Sequence, residues 1–449
     1  MRPNKSVVVA ILLSIFVIEY STFVVDSLVW DRIIKLGVFF SLAAFFKNYS
    51  LSGPSRITLA LYGALLSSAL LASLIQMDAD GITQFMKFLL AFMVLPLALK
   101  RLPNKRDPPG IVLKLPIFWA CLFSVQSVIL FTLIYFEYPV RSVMLRLERL
   151  PFYDTRSFGI WGYGNALWEI TNGSQILRVS SWFHEPAKLA AFLMYPIFVA
   201  WGYYVSTRNI RYLVQAGLCL ACLAATFSLA GMFGFLGACL SLAMLRPAPD
   251  RRPRVTLRVG VKLVAIAGLF LLLAQVTLSK LHNLYEYHDE TVMMKALARD
   301  PTSQTLVRDS AMVDTTMAII GAKPFGAGLA DTGSTEGADT TSSNGFMWWV
   351  KAGGIPAAII LVLLYVRLTY VYCIPLLLFP RPVYRGVAAG FIGATIVQLS
   401  DGTFVTPYYL LNIGIMMLCA DSLRRLSQQE PSLELAALSH RTRSSHPGA

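Results

Sequence analysis

The sequence has little charge and no stretch with the mixed composition of a soluble domain. Asp, Glu, Lys and Arg make up only 14% of its 449 residues, whereas a soluble protein carries about a quarter. Hydrophobic residues make up 56% of the chain, and the mean hydropathy is +0.59. These values exclude an ordinary soluble globular protein and predict an integral membrane protein.

Cysteine is absent from the polar loops. All six cysteines lie in apolar segments, so the loops contain no disulfide framework. Cys219 and Cys222 form a C-x-x-C pair, but it falls inside a predicted spanning helix, which argues against a redox role. No small-residue cleavage site follows the apolar run 7–25, which we therefore interpret as the first helix and not as a signal peptide.

The long hydrophobic runs predict an all-α integral membrane protein of about twelve transmembrane helices, since roughly 20 apolar residues cross a bilayer. The run 211–245 has arginines at both ends, and two crossings broken near Ser228–Gly231 would keep both clusters on one side. The predicted spans are 7–25, 32–46, 57–75, 83–99, 111–135, 189–206, 211–228, 230–245, 258–279, 346–368, 384–400 and 404–421.

The distribution of basic residues predicts the orientation. The short loops 26–31, 76–82 and 401–403 contain no lysine or arginine, whereas the short loops that alternate with them are basic. We therefore expect both termini to be cytoplasmic, including the tail 422–449. The net charge of +14 is spread between spans, which argues for membrane topology and against a nucleic-acid partner.

Residues 1–449 then form a single polytopic membrane domain with two long extracytoplasmic loops, 136–188 and 280–345. Both loops are rich in charge and carry Arg178 and Arg308 respectively, and Lys323 and Lys351 follow in or beside the second. Arginine clusters favour an anionic ligand because the guanidinium can donate two parallel hydrogen bonds to phosphate. Solvated loop charge and contact with lipid headgroups remain alternative explanations for any single arginine.

Two sequence patterns in these loops suggest a reactive site. Glu185-Pro186 stands where a spanning helix begins, so Glu185 is a candidate general base, or it only complements the helix dipole. In the second loop, a helix is predicted to end at Gly321 to Pro324, followed by a tight turn at Gly326-Ala-Gly328. The polar run 332–344 that follows is interpreted as a connector in preference to a mobile lid.

These patterns resemble the O-antigen ligase/polymerase family of bacterial surface-polysaccharide enzymes. The similarity covers roughly residues 175–360 and consists of short motifs in the family's order. The motifs are Arg178 followed by Phe183-His-Glu-Pro186, the break at Thr226–Gly231, the helix bearing Arg308, Lys323–Gly328, Ser343-Asn344 and Gly353-Gly-Ile-Pro356 opening a helix.

The resemblance implies a glycosyltransferase of the C type in the bacterial inner membrane, working without a metal or other cofactor. The expected reaction moves a growing glycan from undecaprenyl diphosphate onto a lipid-linked repeat unit at the outer face. The resemblance assigns Glu185 or His184 as the base, Arg178 and Arg308 to the diphosphate, and Asn344 and Lys323 to substrate binding. Implied partners are the undecaprenyl-diphosphate-linked oligosaccharide and membrane lipid, with a chain-length regulator left open.

Two alternatives compete with the polymerase. An O-antigen ligase uses the same donor, but many ligases carry a histidine where Ser343 stands here. A transporter or flippase of lipid-linked sugars should carry charge inside its spanning helices, and the predicted spans hold few charges, such as Glu19 and Lys87. The arginine common near the family's helix break is also missing, since Leu229 follows Ser228.

Overall fold

The structure is a computed structural model that describes about half of the chain. The described residues are 53–77, 81–82, 85–86, 88–93, 110–135, 145–146, 157–160, 163–170, 174–179, 181, 183, 186–226, 228–245, 316–329, 345–400, 404, 406 and 408–424. The predicted spans 7–25, 32–46 and 258–279 lie outside them.

The described residues are mostly helical. Three helical segments are long and apolar enough to cross a membrane: Pro54–Ile75, Pro186–Thr207 and Gly345–Leu378. The prediction of an α-helical membrane protein is therefore confirmed, but the number of twelve spans is not tested.

The helices of the described residues are α1 Gly53–Ile75, α2 within 81–93, α3 Gly110–Tyr135, α4 Pro186–Thr207, α5 Ile210–Ala225, α6 Leu229–Met244, α7 316–322, α8 Gly345–Arg367, α9 Pro382–Ser400 and α10 408–424.

Several helix boundaries differ from the predictions. Pro186 begins α4 three residues before the predicted span, because proline is favoured in a first helical turn. Past Arg367, α8 continues through a π-helical turn, Leu368–Cys373, into Ile374–Leu378. The described part of α10 reaches residue 424, which lies inside the tail predicted at 422–449.

The predicted break between residues 211 and 245 is confirmed. Thr226 Oγ1 donates to the Leu223 carbonyl at 2.6 Å, and Ser228 caps α6 by accepting from the Gly231 N–H at 3.1 Å. The stacked rings of Tyr203 and Tyr212 lie 5.0 Å apart across the α4–α5 hairpin, so these helices are antiparallel. Since the start of α6 packs beside the start of α4, α5 and α6 run in opposite directions, as two crossings require.

The first long loop contains a small sheet that the all-helical prediction did not include. Four strands, β1 Leu145–Arg146, β2 Ser157–Ile160, β3 Tyr163–Ile170 and β4 Ser174–Val179, form an antiparallel meander in the order β1-β2-β3-β4. Residues 161–162 and 171–173 connect the last three strands. The sheet leads into α4, so residues 136–188 are partly a structured unit.

Contacts between helices fix their relative directions. Arg367, at the end of α8, donates to the Pro54 carbonyl at the start of α1, whereas Gly353 lies against Ser68 near the other end. In α9, Gly386 and Gly390 allow the backbone to approach α4 at Phe198 and Tyr195. Both helix pairs are therefore antiparallel, and glycine is needed in α9 because a Cβ would collide with the α4 backbone.

One end of the bundle therefore holds the starts of α4, α6, α8 and α10 and the ends of α1 and α9. We call this the motif end, because three of the sequence motifs lie there. The orientation predicted from charge places it on the extracytoplasmic side, and that sidedness remains a prediction.

The opposite end, which we call the arginine end, is held together by three arginines that cap helix carbonyls. Arg385 donates to the carbonyls of Leu377, Leu242 and Leu245. Arg367 donates to Pro54 O, and Arg424 to Val371 O and to Asp421. Guanidinium groups stabilise exposed helix carbonyls by charge-assisted hydrogen bonds, so these arginines have a structural role.

Candidate functional site at the motif end

The motif that precedes α4 is anchored by Phe183. Its ring is 6% exposed and packs against Phe123, Phe192 and Tyr408, with centroid distances of 6.0, 5.3 and 5.4 Å. Tyr408 in turn accepts a hydrogen bond from the Gln398 side chain at 3.2 Å. Aromatic contacts from α3, α4 and α10 therefore fix the residue two positions before Glu185, and Pro186 begins the helix directly after it.

Ser181 is a buried polar residue at the entry to this motif. It has φ of 48°, in the left-handed region, and is 1% exposed. Its hydroxyl has no hydrogen-bond partner within the described part of the structure. A buried hydroxyl without a partner is unfavourable, so the position offers an unused donor beside the motif.

The second long loop ends in a segment that is hydrogen-bonded to a break in α8. We call residues 323–329 and 351–355 together the glycine clasp. Gly354 has φ of 67° and ψ of −156°, and Pro356 has no N–H, so the regular helix is interrupted between them. The resemblance predicted that Gly353–Pro356 opens a helix; α8 instead begins at Gly345, and only its second half begins here.

The loop backbone replaces the hydrogen bonds that the break removes. In a continuous helix, residue 355 would donate to the Lys351 carbonyl and residue 356 to the Ala352 carbonyl. Here Ala327 N donates to Lys351 O at 2.9 Å, Gly328 N to Ala352 O at 3.1 Å, and Ile355 N to Pro324 O at 3.0 Å. Broken backbone is tolerated within a membrane where protein satisfies its polar groups, and the clasp does so.

Three glycines make this backbone contact possible. A Cβ at Gly326 would overlap the Ala352 carbonyl oxygen, and one at Gly354 would overlap the Pro324 carbonyl oxygen. Gly328, with φ of 89°, lies against Ser73 of α1, whose hydroxyl accepts from Leu329 N at 2.9 Å. The turn predicted at Gly326–Gly328 is thus confirmed as positive-φ backbone, and the structure adds its docking onto α1 and α8.

Lys351 lies inside this clasp and is the residue that sequence analysis missed. It is 3% exposed, and it is the only charged side chain buried among the described residues. Sequence analysis grouped it with the basic residues of the second loop, whereas the structure buries it within α8. The available signal was a lysine in the otherwise apolar run 346–364, since an ionisable residue in a spanning helix is costly and usually functional.

The residues assigned by resemblance are only partly placed. Glu185, His184, Arg308 and Asn344 lie outside the described residues, so the convergence of Arg178 and Arg308 stays untested. Arg178 is in β4, where its Cα pairs with that of Ala166, and β4 runs close to α3 and α5.

Lys323 follows α7 directly and opens the glycine clasp, and its N–H donates to the Ile319 carbonyl at 2.7 Å. The predicted end of the Arg308-bearing segment between Gly321 and Pro324 is confirmed, since α7 ends at residue 322. Three of the family-like motifs therefore lie at the motif end: the start of α4, the Ser228 break and the glycine clasp.

Comparisons with known proteins give no family for this chain. No protein-family model matches it, and no curated protein matches it.

Proposed function

We propose that the protein is a polysaccharide polymerase of the C-type glycosyltransferase class in the bacterial inner membrane. It transfers a growing glycan from undecaprenyl diphosphate to a lipid-linked repeat unit at the outer face of that membrane. The observation that carries this proposal is a buried cation, Lys351, in a broken helix to which the end of the second long loop is hydrogen-bonded. A buried cation at the membrane suits a substrate whose reacting group is a lipid diphosphate.

The proposed reaction is a substitution at the anomeric carbon of the donor sugar. The acceptor hydroxyl oxygen forms the new glycosidic bond, and the bond from the sugar to the diphosphate oxygen breaks. The electron pair of that bond leaves with undecaprenyl diphosphate, and Glu185 or His184 takes the proton of the hydroxyl.

Cations that neutralise the leaving diphosphate lower the barrier, because negative charge develops there in the transition state. We assign this role to Arg178 and Arg308, with Lys351 as an additional cation and with Lys323 and Asn344 as substrate contacts. The arginines of the arginine end have a different, structural role, since Arg367, Arg385 and Arg424 donate hydrogen bonds to helix carbonyls.

Deletion of the gene in the native bacterium tests the proposal directly. We expect single lipid-linked repeats to accumulate at the outer face and polymer to disappear, and the intact gene to restore polymer. Repeats trapped at the inner face would instead indicate a flippase. Polymer that forms on undecaprenyl diphosphate but is not attached to lipid A-core would indicate a ligase. Either result would contradict the polymerase.

Lys351→Met tests the buried cation, since methionine keeps the length and apolar stem of lysine but removes its charge. We expect polymer formation to fall roughly 10²–10³-fold, as when one preorganised donor to a developing anion is lost. Thermal unfolding of the purified variant, measured beside polymer formation, separates loss of the cation's role from loss of the fold, since removing a buried charge also leaves its partner uncompensated. Full polymer from Lys351→Met would remove Lys351 from the site.

A further inference from the structure

A cavity of about 300 Å³ lies between α3 and α5 at the arginine end, away from the proposed active site. Its polar lining consists of Lys114, Asn209, Arg211 and Gln215, and its apolar lining of Ile117, Phe118 and Tyr212. This volume can hold several water molecules. It suits a small polar group and is too small for acyl chains.

The cavity carries two cations that have no anionic partner among the described residues. Neither the Lys114 ammonium nor the Arg211 guanidinium forms an ion pair with any residue that the structure describes. Lys114 Nζ lies 5.5 Å from the centroid of the Tyr203 ring, a cation–π contact that holds the amine near the cavity. Two cations at one opening favour a ligand with a negative charge, and arginine suits a phosphate.

A second polar feature points to a hydroxyl group on that ligand. Gln215 Oε1 is buried and accepts no hydrogen bond from the described residues. The Asn209 side-chain oxygen is already used, because it caps α5 by accepting from Arg211 N at 3.0 Å. The unfilled acceptor on Gln215 therefore needs a donor from the ligand, such as a hydroxyl.

The surroundings of the cavity favour a lipid over a soluble ligand. Phe118, Ile210 and Val214 are 60%, 61% and 63% exposed around the same helix ends, in a protein that spans a membrane. Basic pockets between spanning helices at the membrane surface are a common mode of binding anionic headgroups.

We infer that this cavity binds the headgroup of an anionic phospholipid with a hydroxyl-bearing phosphodiester, as in phosphatidylglycerol. The phosphate lies between Lys114 and Arg211, a headgroup hydroxyl donates to Gln215 Oε1, and the acyl chains lie along Phe118 and Val214. The inference depends only on the membrane character of the chain and not on the polymerase activity.

Thermal unfolding of the purified full-length protein in neutral detergent tests this site. Added phosphatidylglycerol should raise Tm by on the order of 5 °C near saturation, and phosphatidylcholine should not. Lys114→Gln combined with Arg211→Gln should lose most of that rise. The matched control is Arg208→Gln, an exposed arginine on the same connection that does not line the cavity, and it should keep the full rise.

Two further measurements distinguish a bound phospholipid from free phosphate. Native mass spectrometry of wild-type protein extracted from membranes should show retained phosphatidylglycerol, and the double variant should have lost it. Inorganic phosphate should not reproduce the rise in Tm; an equal rise would assign the cavity to free phosphate and overturn the lipid assignment. An unchanged phosphatidylglycerol response in the double variant would overturn the site itself.

Discussion

Gly354→Ala is expected to abolish stable accumulation of the protein and, with it, polymer formation. Gly354 combines φ of 67° with ψ of −156°, a region that only glycine adopts without strain. The added methyl group would also overlap the Pro324 carbonyl oxygen, which accepts the hydrogen bond from Ile355. Strain and loss of the glycine clasp together should lower the free energy of unfolding by about 3 kcal/mol or more.

The measurement is the yield and thermal unfolding of the purified variant, and α1 supplies the matched control. Gly63 lies within α1, and a Cβ there would meet nothing within 4 Å. Gly63→Ala should therefore leave the protein at least as stable as wild type, since alanine is favoured over glycine in a helix by about 1 kcal/mol. Wild-type yield and unfolding temperature in Gly354→Ala would show that the clasp does not hold α8 and the loop together.

The positions of the helices could be predicted from the sequence because a membrane span requires a run of apolar residues. The apolar runs predicted the bounds of α1, α3, α4 and α9 and the start of α8 to within a few residues, since crossing a bilayer demands an unbroken length of apolar side chains. The continuation of α8 to Leu378 was not predicted. The division between α5 and α6 came from charge, because arginines at both ends of one long run are compatible with two crossings. Ser228 then provides the cap that starts the second helix.

The sheet was missed although the first long loop contains hairpin signals. Asn172-Gly173, within the three-residue connection 171–173 between β3 and β4, is a strong hairpin signal. Residues 161–162 connect β2 and β3 in a two-residue hairpin. The loop was interpreted through its charged residues, and its short strands were not predicted.

The glycine clasp shows a different limit of sequence reasoning. Gly326 and Gly328 predict a turn, but not which carbonyls their neighbours would reach. The acceptors are supplied by Lys351 and Ala352, more than twenty residues later in the chain, and are free only because Gly354 and Pro356 break α8. Lys351 could be separated from the loop lysine Lys323 by its place in the apolar run 346–364, but the loop backbone that contacts its carbonyl could not be predicted.

Lys351 also narrows the choice between the proposed functions. A transporter or flippase should carry charge inside its spanning helices, lining a path through the membrane. Within the described residues the buried charge is confined to Lys351, which lies at the motif end, where α8 begins. A single cation at one end of the bundle fits a site that binds a diphosphate at one membrane face better than it fits a path across the membrane.

Glu185→Gln is expected to reduce polymer formation by ~10²–10⁴-fold while leaving the fold intact, because glutamine keeps the shape of glutamate but cannot accept the acceptor's proton. Phe183 is fixed by three aromatic contacts and Pro186 begins α4, so the chain is anchored on both sides of this position. If Glu185 only complements the helix dipole, the same change should cost about 0.3–1 kcal/mol of stability and leave turnover unchanged.

Turnover of purified protein on a lipid-linked repeat, measured beside thermal unfolding, separates these two roles for Glu185. Glu169→Gln is the control, since it makes the same chemical change in β3 at a residue with no assigned role. It should form polymer at the wild-type rate. Near-normal turnover by Glu185→Gln would transfer the role of base to His184, and His184→Gln should then be the inactive variant. If both variants turned over normally, neither side chain would be the base that takes the proton. The residues at the start of α4 would then have no role in the proposed reaction.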